Sequence, residues 1–261
     1  MLIFDFDGVI INSLDEITVT AHNAVTGRLD TTLSALSSNV IRLFQRNRFH
    51  VQGIGDVVTL MKWCKDNDSG DPDYIMSPEA YESLRISAET PLVERTRTFF
   101  ATRNSFVHKD RERWLALNAP FPKIWNELKK IPVEQIVILI TKNREAVLQL
   151  CKFFGYELLD NNIYSGDDGV LKTENLNEIH YRFKAGPYVF IDDSLSNLKE
   201  LDRHFNTPDS KFLSLILAAW GYIGPEDAEM AAALGYEIHS QEDFISYLKY
   251  RFSGSAFRVQ G

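Results

Sequence analysis

Two carboxylates two residues apart close the first apolar run of the chain, Leu2-Ile-Phe-Asp5-Phe-Asp7-Gly8. On an extended segment such side chains lean to the same side, so Asp5 and Asp7 repel each other unless a cation or a proton is supplied. Such a pair needs a reason, and a bound cation or a shared proton would supply one. Asp7-Gly8 is also a strong turn signal, and a hairpin joining Leu2-Ile-Phe to Val9-Ile-Ile is the local alternative. A second acidic pair, Asp192-Asp193, follows the apolar run Tyr188-Val-Phe-Ile191, with Asn197 four residues beyond. Either carboxylate, or Ser194, could simply cap the next helix. Thr141 follows Ile136-Val-Ile-Leu-Ile140. Its hydroxyl can cap a helix or, with the backbone N–H groups after it, hold phosphate oxygens, and Asn143 is the rival cap. Lys172 is by itself an ordinary lysine of the kind usually solvated.

These groups are useful only if something brings them together, and the apolar pattern supplies it. Ile136–Ile140, Tyr188–Ile191 and Phe212–Leu217 are continuous runs of strand length, rich in β-branched residues, as expected of strands buried on both faces. Between them, Val147, Leu150, Cys151 and Phe154 repeat at helical spacing up to Gly155, and Leu195, Leu198, Leu201 and Phe205 do the same. Strands alternating with helices imply an α/β fold with a Rossmann-like parallel sheet core, whose loops at the C-terminal strand edges gather the chemistry. At those edges Asp5, Asp192 and Asp193 would surround one point, a hard oxygen-rich set suited to Mg²⁺.

From Leu14 to about Lys130 the texture is helical, with signals such as Ser77-Pro78-Glu79, and shows no strand alternation. The middle of the chain is about neutral in charge, so the two ends carry the formal net charge of −8. That balance argues against a dedicated nucleic-acid binder, which needs a cationic field. No apolar run approaches the ~18 residues of a membrane span, so no membrane partner is expected. Cys64 and Cys151 lack metal or disulfide spacing and read as reduced packing residues. The chain enters a strand at Leu2 without a basic leader, which favours a cytoplasmic location. Ser253 to Gly261 read as a weakly anchored tail.

Asp5-Phe-Asp-Gly-Val-Ile-Ile-Asn-Ser resembles the first motif of the haloacid dehalogenase superfamily, D-x-D-G-[VT] after a hydrophobic strand. Thr141 resembles the second motif, Lys172 the third, and Phe190-Ile-Asp-Asp-Ser-Leu-Ser-Asn the fourth, all in order. Lys184, the rival for the third motif, lies too close to the fourth. Trp220-Gly-Tyr is similar to the segment after strand five in phosphoglycolate phosphatase-like members. The resemblance implies Asp5 as nucleophile and Asp7 as acid and base. It implies Thr141, Lys142 and Lys172 as phosphate-binding residues. For the metal it implies Asp5, the Asp7 backbone carbonyl, Asp192 and Asp193 as ligands of Mg²⁺, with Asp193 foremost and with Gly8 and Asn197 in support.

The resemblance further implies a catalytic core of residues 1–14 and 131–261 and an inserted α-helical cap of the C1 type over 15–130. Its hinges would fall near Asn12–Glu16 and Ala119–Pro132, where Pro120, Pro122 and Pro132 suit a stiffened connection. Arg42, Arg46, Arg48 and His50, or Arg95, Arg97 and Arg103, could read an acidic substrate or could be balanced helix faces. The implied activity is a Mg²⁺-dependent phosphatase acting on a small phosphorylated substrate. A phosphomutase and a catalytically silent binding protein of the same fold remain the alternatives. Dehalogenation is disfavoured, because the dehalogenases lack an aspartate at the position of Asp7.

Overall fold

The computed structural model describes residues 1–167, 170–184, 186–207 and 211–253; the tail at 254–261 lies outside them. The chain divides into two compact units, one of Met1–Asn12 with Pro120–Gly261 and one of Ser13–Ala119.

The first unit is built on a parallel sheet of β1 (Leu2–Phe4), β2 (Ile136–Leu139), β3 (Ile163–Tyr164), β4 (Tyr188–Asp192), β5 (Leu213–Ala218) and β6 (Glu237–His239). Their spatial order is β3-β2-β1-β4-β5-β6. The order reverses direction between β1 and β4, and a doubly wound sheet opens a crevice at the C-terminal edge of such a switch point. Residues on one face of the strands, Ile3, Val137, Phe190 and Leu215 among them, pack with Leu176 and Ile179 of helix Lys172–Phe183 and Leu198 and Leu201 of helix Leu195–Phe205. The alternate residues Leu2, Phe4, Ile138, Ile191 and Ile216 are equally buried. On that side Phe4 meets Phe244 of helix Gln241–Ser253 edge to face at 5.9 Å. Burial on both faces explains why these strands read as unbroken apolar runs. Each such side chain contributes about 1.5–3 kcal/mol.

The hairpin alternative at Asp7-Gly8 is excluded by pairing. β1 is flanked on both sides, with Phe4 in register with Ile138 and with Ile191, which leaves no edge for Val9–Ile11. Instead Gly8 donates to the Ile11 carbonyl and Ile10 and Ile11 donate back to Phe6, a tight loop at the strand end.

The second unit is helical, with Leu14–Thr26, Ser38–Asn47, Asp56–Asp66, Pro78–Ile86, Leu92–Lys109 and Arg111–Ala116. Ile17, Phe44, Leu60 and Phe99 lie in its core. Ser77 caps its helix by accepting from Ala80 N–H, with Pro78 in the first turn. The division between units falls at 12/13 and 119/120, not at 14/15 and 130/131. Pro122 is the reason for the second difference. It opens helix Pro122–Leu128, a position where its missing N–H costs nothing, so it starts an element of the first unit and does not stiffen a connection.

The arginine groups are largely committed within the helical unit. Arg103 makes a two-point bond to Glu16 at 2.8 and 2.9 Å, and Arg95 bonds Asp56 at 3.2 Å, all four side chains being buried. Arg42 and Arg46 both meet Asp73. His50 is buried with Nε2 at 2.8 Å from the Met76 carbonyl. Reading an acidic substrate through Arg95 or Arg103 would first require breaking a buried pair.

Candidate active site

The pairing register of the sheet decides which carboxylates meet. β1 continues past Phe4, where Asp5 N–H donates to the Ile191 carbonyl at 2.9 Å, so Asp5 lies beside the last residue of β4, Asp192. One carboxylate oxygen from each of Asp5, Asp192 and Asp193 falls within 4.8 Å of the others. All three residues are buried.

Lys172, the first residue of helix Lys172–Phe183, extends into this group and donates to Asp5 Oδ1 at 2.6 Å and to Asp192 Oδ2 at 2.7 Å. A helix N-terminus disfavours a cation, so the two carboxylates must offset both that field and the burial of the ammonium. Together they hold the Lys172 ammonium above its ordinary pKa, so it stays charged. Burial pushes the Asp5 carboxyl up to about 7; the Lys172 charge opposes that rise, while Asp192 and Asp7 add to it. Lys184 sits in a left-handed turn after the same helix and has no part in the cluster.

The acidic pair after β4 divides its labour. Ser194, not an aspartate, caps helix Leu195–Phe205, accepting from Asn197 N–H. Asp192 is fully enclosed: Oδ1 accepts from Ser194 N–H at 2.8 Å, and Oδ2 accepts from Asn197 Nδ2 at 2.9 Å besides Lys172. Asn197 therefore orients this carboxylate. Asp193 Oδ2 accepts from Tyr222 N–H at 2.6 Å, and the loops bearing Gly8 and Gly221 close on it. A Cβ on Gly8 would stand 2.0 Å from Asp193 Oδ2, and one on Gly221 would stand 2.3 Å from Asp193 Cβ. Gly8 also has φ +84, a conformation costly for any other residue. Trp220 steadies the same meeting of loops through Nε1–H to the Val9 carbonyl at 2.9 Å.

The loop after β2 contributes two further groups. Thr141 is exposed, and Asn143 takes the capping role, accepting from Ala146 N–H at 3.2 Å. Thr141 is thus not needed as a cap. Gly166 packs close to the Thr141 backbone, where a Cβ would be 3.0 Å from Thr141 Cα. Lys142 is buried and donates from Nζ to Asp7 Oδ1 at 2.8 Å. The ammonium is therefore engaged with Asp7, which leaves the Lys142 backbone N–H as its group for phosphate.

The sequence singled out Trp220-Gly-Tyr but assigned no role at the site to Gly221 or Tyr222 N–H, and it did not reveal the destination of the Lys142 ammonium. A backbone donor leaves no side-chain signature, and the Lys142 partner is distant along the chain.

With every group ionised, the cluster sets the carboxylates of Asp5, Asp7, Asp192 and Asp193 against the ammonium groups of Lys142 and Lys172, two negative charges in excess, and the raised Asp5 value is the response to that excess and to burial. Enclosed carboxylates that remain ionised within a few ångströms of one another need a compensating cation. The all-oxygen donor set fits a hard divalent ion, with Asp5, Asp192 and Asp193 each able to offer one oxygen and Asp192 also anchoring Lys172.

Similar architecture occurs among solved structures. A protein from Clostridium acetobutylicum described as a phosphatase superposes with a TM-score of 0.55 at 12% identity, over 95% of this chain and 96% of that one. A haloacid dehalogenase-like family hydrolase from Streptococcus pneumoniae gives 0.53 at 13% identity, over 94% and 96%. The chain has the haloacid dehalogenase fold. A protein from Bacteroides vulgatus described as a β-phosphoglucomutase shares that fold, with a TM-score of 0.55 at 14% identity over 98% and 89%. No protein-family model and no curated protein sequence matches the chain. At such low identity the haloacid dehalogenase fold is what the likeness establishes, and the chemistry must be argued from the residues.

Proposed function

We propose that this protein is a Mg²⁺-dependent phosphatase that hydrolyses a small phosphorylated metabolite through an aspartyl-phosphate on Asp5. The observation that carries the reading is the convergence of Asp5, Asp192 and Asp193 on one point at the sheet's switch edge, with Lys172 bonded between the first two.

A phosphate ester dianion repels an attacking carboxylate, so charge must be cancelled before Asp5 can approach phosphorus. Lys172 supplies one fixed positive charge directly on the nucleophile. A divalent cation on Asp5, the Asp7 carbonyl, Asp193 and Asp192 supplies the remaining positive charge when bound. Asp5 then attacks phosphorus, and the leaving oxygen departs with its electron pair and takes a proton from Asp7. In the second half Asp7 accepts a proton from water as that water attacks phosphorus, and the Asp5 carboxylate is released. Thr141 and the N–H groups after it are assigned to phosphate oxygens.

We assign the selection of the leaving group to the inserted helical unit, residues 13–119, as the cap of this fold. A location in the cytoplasm accords with the two free, buried thiols of Cys64 and Cys151. Among the described residues no helix is long and apolar enough to cross a membrane.

Hydrolysis of p-nitrophenyl phosphate with and without Mg²⁺ tests the reading. Turnover should require the metal, vanish in Asp5→Asn, and fall by roughly 10²-fold or more in Asp7→Asn. A folded wild type without metal-dependent turnover on this ester or on a panel of phosphorylated metabolites would favour a silent binding protein instead.

A further inference from the structure

The two lysines of the cluster are distributed in a way the phosphatase reading does not require. Lys172 binds the nucleophile, Asp5, and its neighbour Asp192. Lys142 binds the other member of the first pair, Asp7. An ammonium is strongly hydrated, and enclosing it costs several kcal/mol unless a partner compensates. The Lys142 side chain is nevertheless only 2% exposed, while the Asp7 side chain it meets is 22% exposed. The lysine is the enclosed partner and the aspartate the one that faces outward. Lys142 therefore behaves as part of the wall from which Asp7 is held.

Asp7 needs such a hold for a physical reason. It stands two residues from Asp5, just past the end of β1, so two carboxylates of like charge are held close together. Repulsion of that kind turns a free carboxylate away from the point where the two must act together. An acid–base group also has to keep one oxygen directed at the reacting atom, and a misplacement of about 1 Å can cost 10²-fold in rate.

We propose that Lys142 is a positioning residue for Asp7: by holding Oδ1 at 2.8 Å, it directs Oδ2 toward the leaving-group oxygen and later toward the attacking water. The proposal rests on the phosphatase reading above. It assigns Lys142 to the acid–base half of the site and leaves phosphate neutralisation to Lys172. The proton balance is simple. Asp7 Oδ2–H gives its proton to the leaving oxygen as the phosphorus–oxygen bond breaks, then recovers one from water, and Lys142 remains an ammonium on Oδ1 throughout.

A leaving-group comparison distinguishes this role from phosphate binding and from a purely structural one. An alkyl phosphate leaves as a basic alkoxide that needs a proton, whereas p-nitrophenolate leaves without one. For Lys142→Met, kcat/KM for the best alkyl phosphate monoester should fall by about 10²-fold, and for p-nitrophenyl phosphate by only a few-fold. Lys142→Arg should recover part of the alkyl activity. Equal losses on both esters, or weaker inhibition by inorganic phosphate with the leaving-group preference unchanged, would overturn the proposal. Wild-type turnover of both esters, measured alongside, tells failure of this inference from failure of the phosphatase reading. Crystal structures of the wild type and Lys142→Met give a readout independent of turnover. The Asp7 carboxylate should rotate in the variant, and an unmoved carboxylate in a folded variant overturns the proposal.

Discussion

Replacing Lys172 with methionine keeps the length of its stem and removes only the charge that joins Asp5 to Asp192. In the wild type that ammonium lies 2.6 Å from one carboxylate and 2.7 Å from the other, all three side chains being enclosed. Removing one partner of a buried ion pair costs about 3–5 kcal/mol, because the remaining charge stays unpaired. Here two carboxylates lose their partner, and the cluster goes from two to three negative charges in excess. At about 2–4 °C per kcal/mol, melting of the metal-free variant should drop by on the order of 10 °C. The deficit should depend on pH. The Asp5 carboxyl already titrates above its ordinary value because of burial, and losing Lys172 removes the main influence that opposes this. A raised folded-state value means that the native state holds the proton where the unfolded chain has lost it. Stability then falls as pH rises from about 4 through the folded value, which is about 7 in the wild type and higher in the variant, so the deficit should widen above that pH. Mg²⁺ should recover more stability in the variant than in the wild type, since the more negative site binds a cation more tightly. Differential scanning fluorimetry with and without Mg²⁺, at acidic and alkaline pH, reads all of this. A variant that melts with the wild type at every pH, or gains nothing extra from Mg²⁺, would refute the charge accounting of the site.

Gly8→Ala should cost roughly 10²-fold in activity with little change in circular dichroism, because its Cβ would collide with Asp193 Oδ2 in a backbone of φ +84; near-wild-type kcat/KM would show that the loop is not closely seated. Arg103→Met should destabilise the helical unit by about 3–5 kcal/mol by stranding the buried Glu16, and Glu16→Gln with Arg103→Met should recover much of that; chemical denaturation of the single and double variants checks the order. Because the Asp5 carboxyl is pushed up to about 7, metal-free protein should release a proton on binding Mg²⁺ below that pH, with apparent affinity rising toward a plateau above it. Calorimetry in buffers of different ionisation heat would detect the proton, and a flat pH dependence would contradict the shift.

The core was legible because its strands are buried on both faces. The runs Ile136–Ile140 and Tyr188–Ile191 must be apolar throughout, so the polar residues that follow them stand out, and the register then brings Asp5 and Asp192 together. The helical unit was less legible for the same physical reason reversed. Its decisive pairs, Glu16 with Arg103 and Asp56 with Arg95, join residues far apart in sequence, and charged residues on helices ordinarily face solvent. The groups that finish the site were hidden in other ways. Tyr222 contributes a backbone N–H, which any residue could supply, and Lys142 differs from a surface lysine only in what surrounds it. Pro122 misled because proline both breaks chains and opens helices, and only packing decides between the two.

The claim on which the rest depends is that Asp5 carries the phosphoryl group between substrate and water. Acid-quenched turnover of a phosphate monoester with Mg²⁺, followed by mass spectrometry of the peptide that contains Asp5, measures it directly. A hydroxylamine-labile phosphoryl group is expected on Asp5, more abundant in Asp7→Asn, where release to water is slowed, and absent in Asp5→Asn. Turnover that persists in Asp5→Asn, or a phosphoryl group found on another residue, would contradict it.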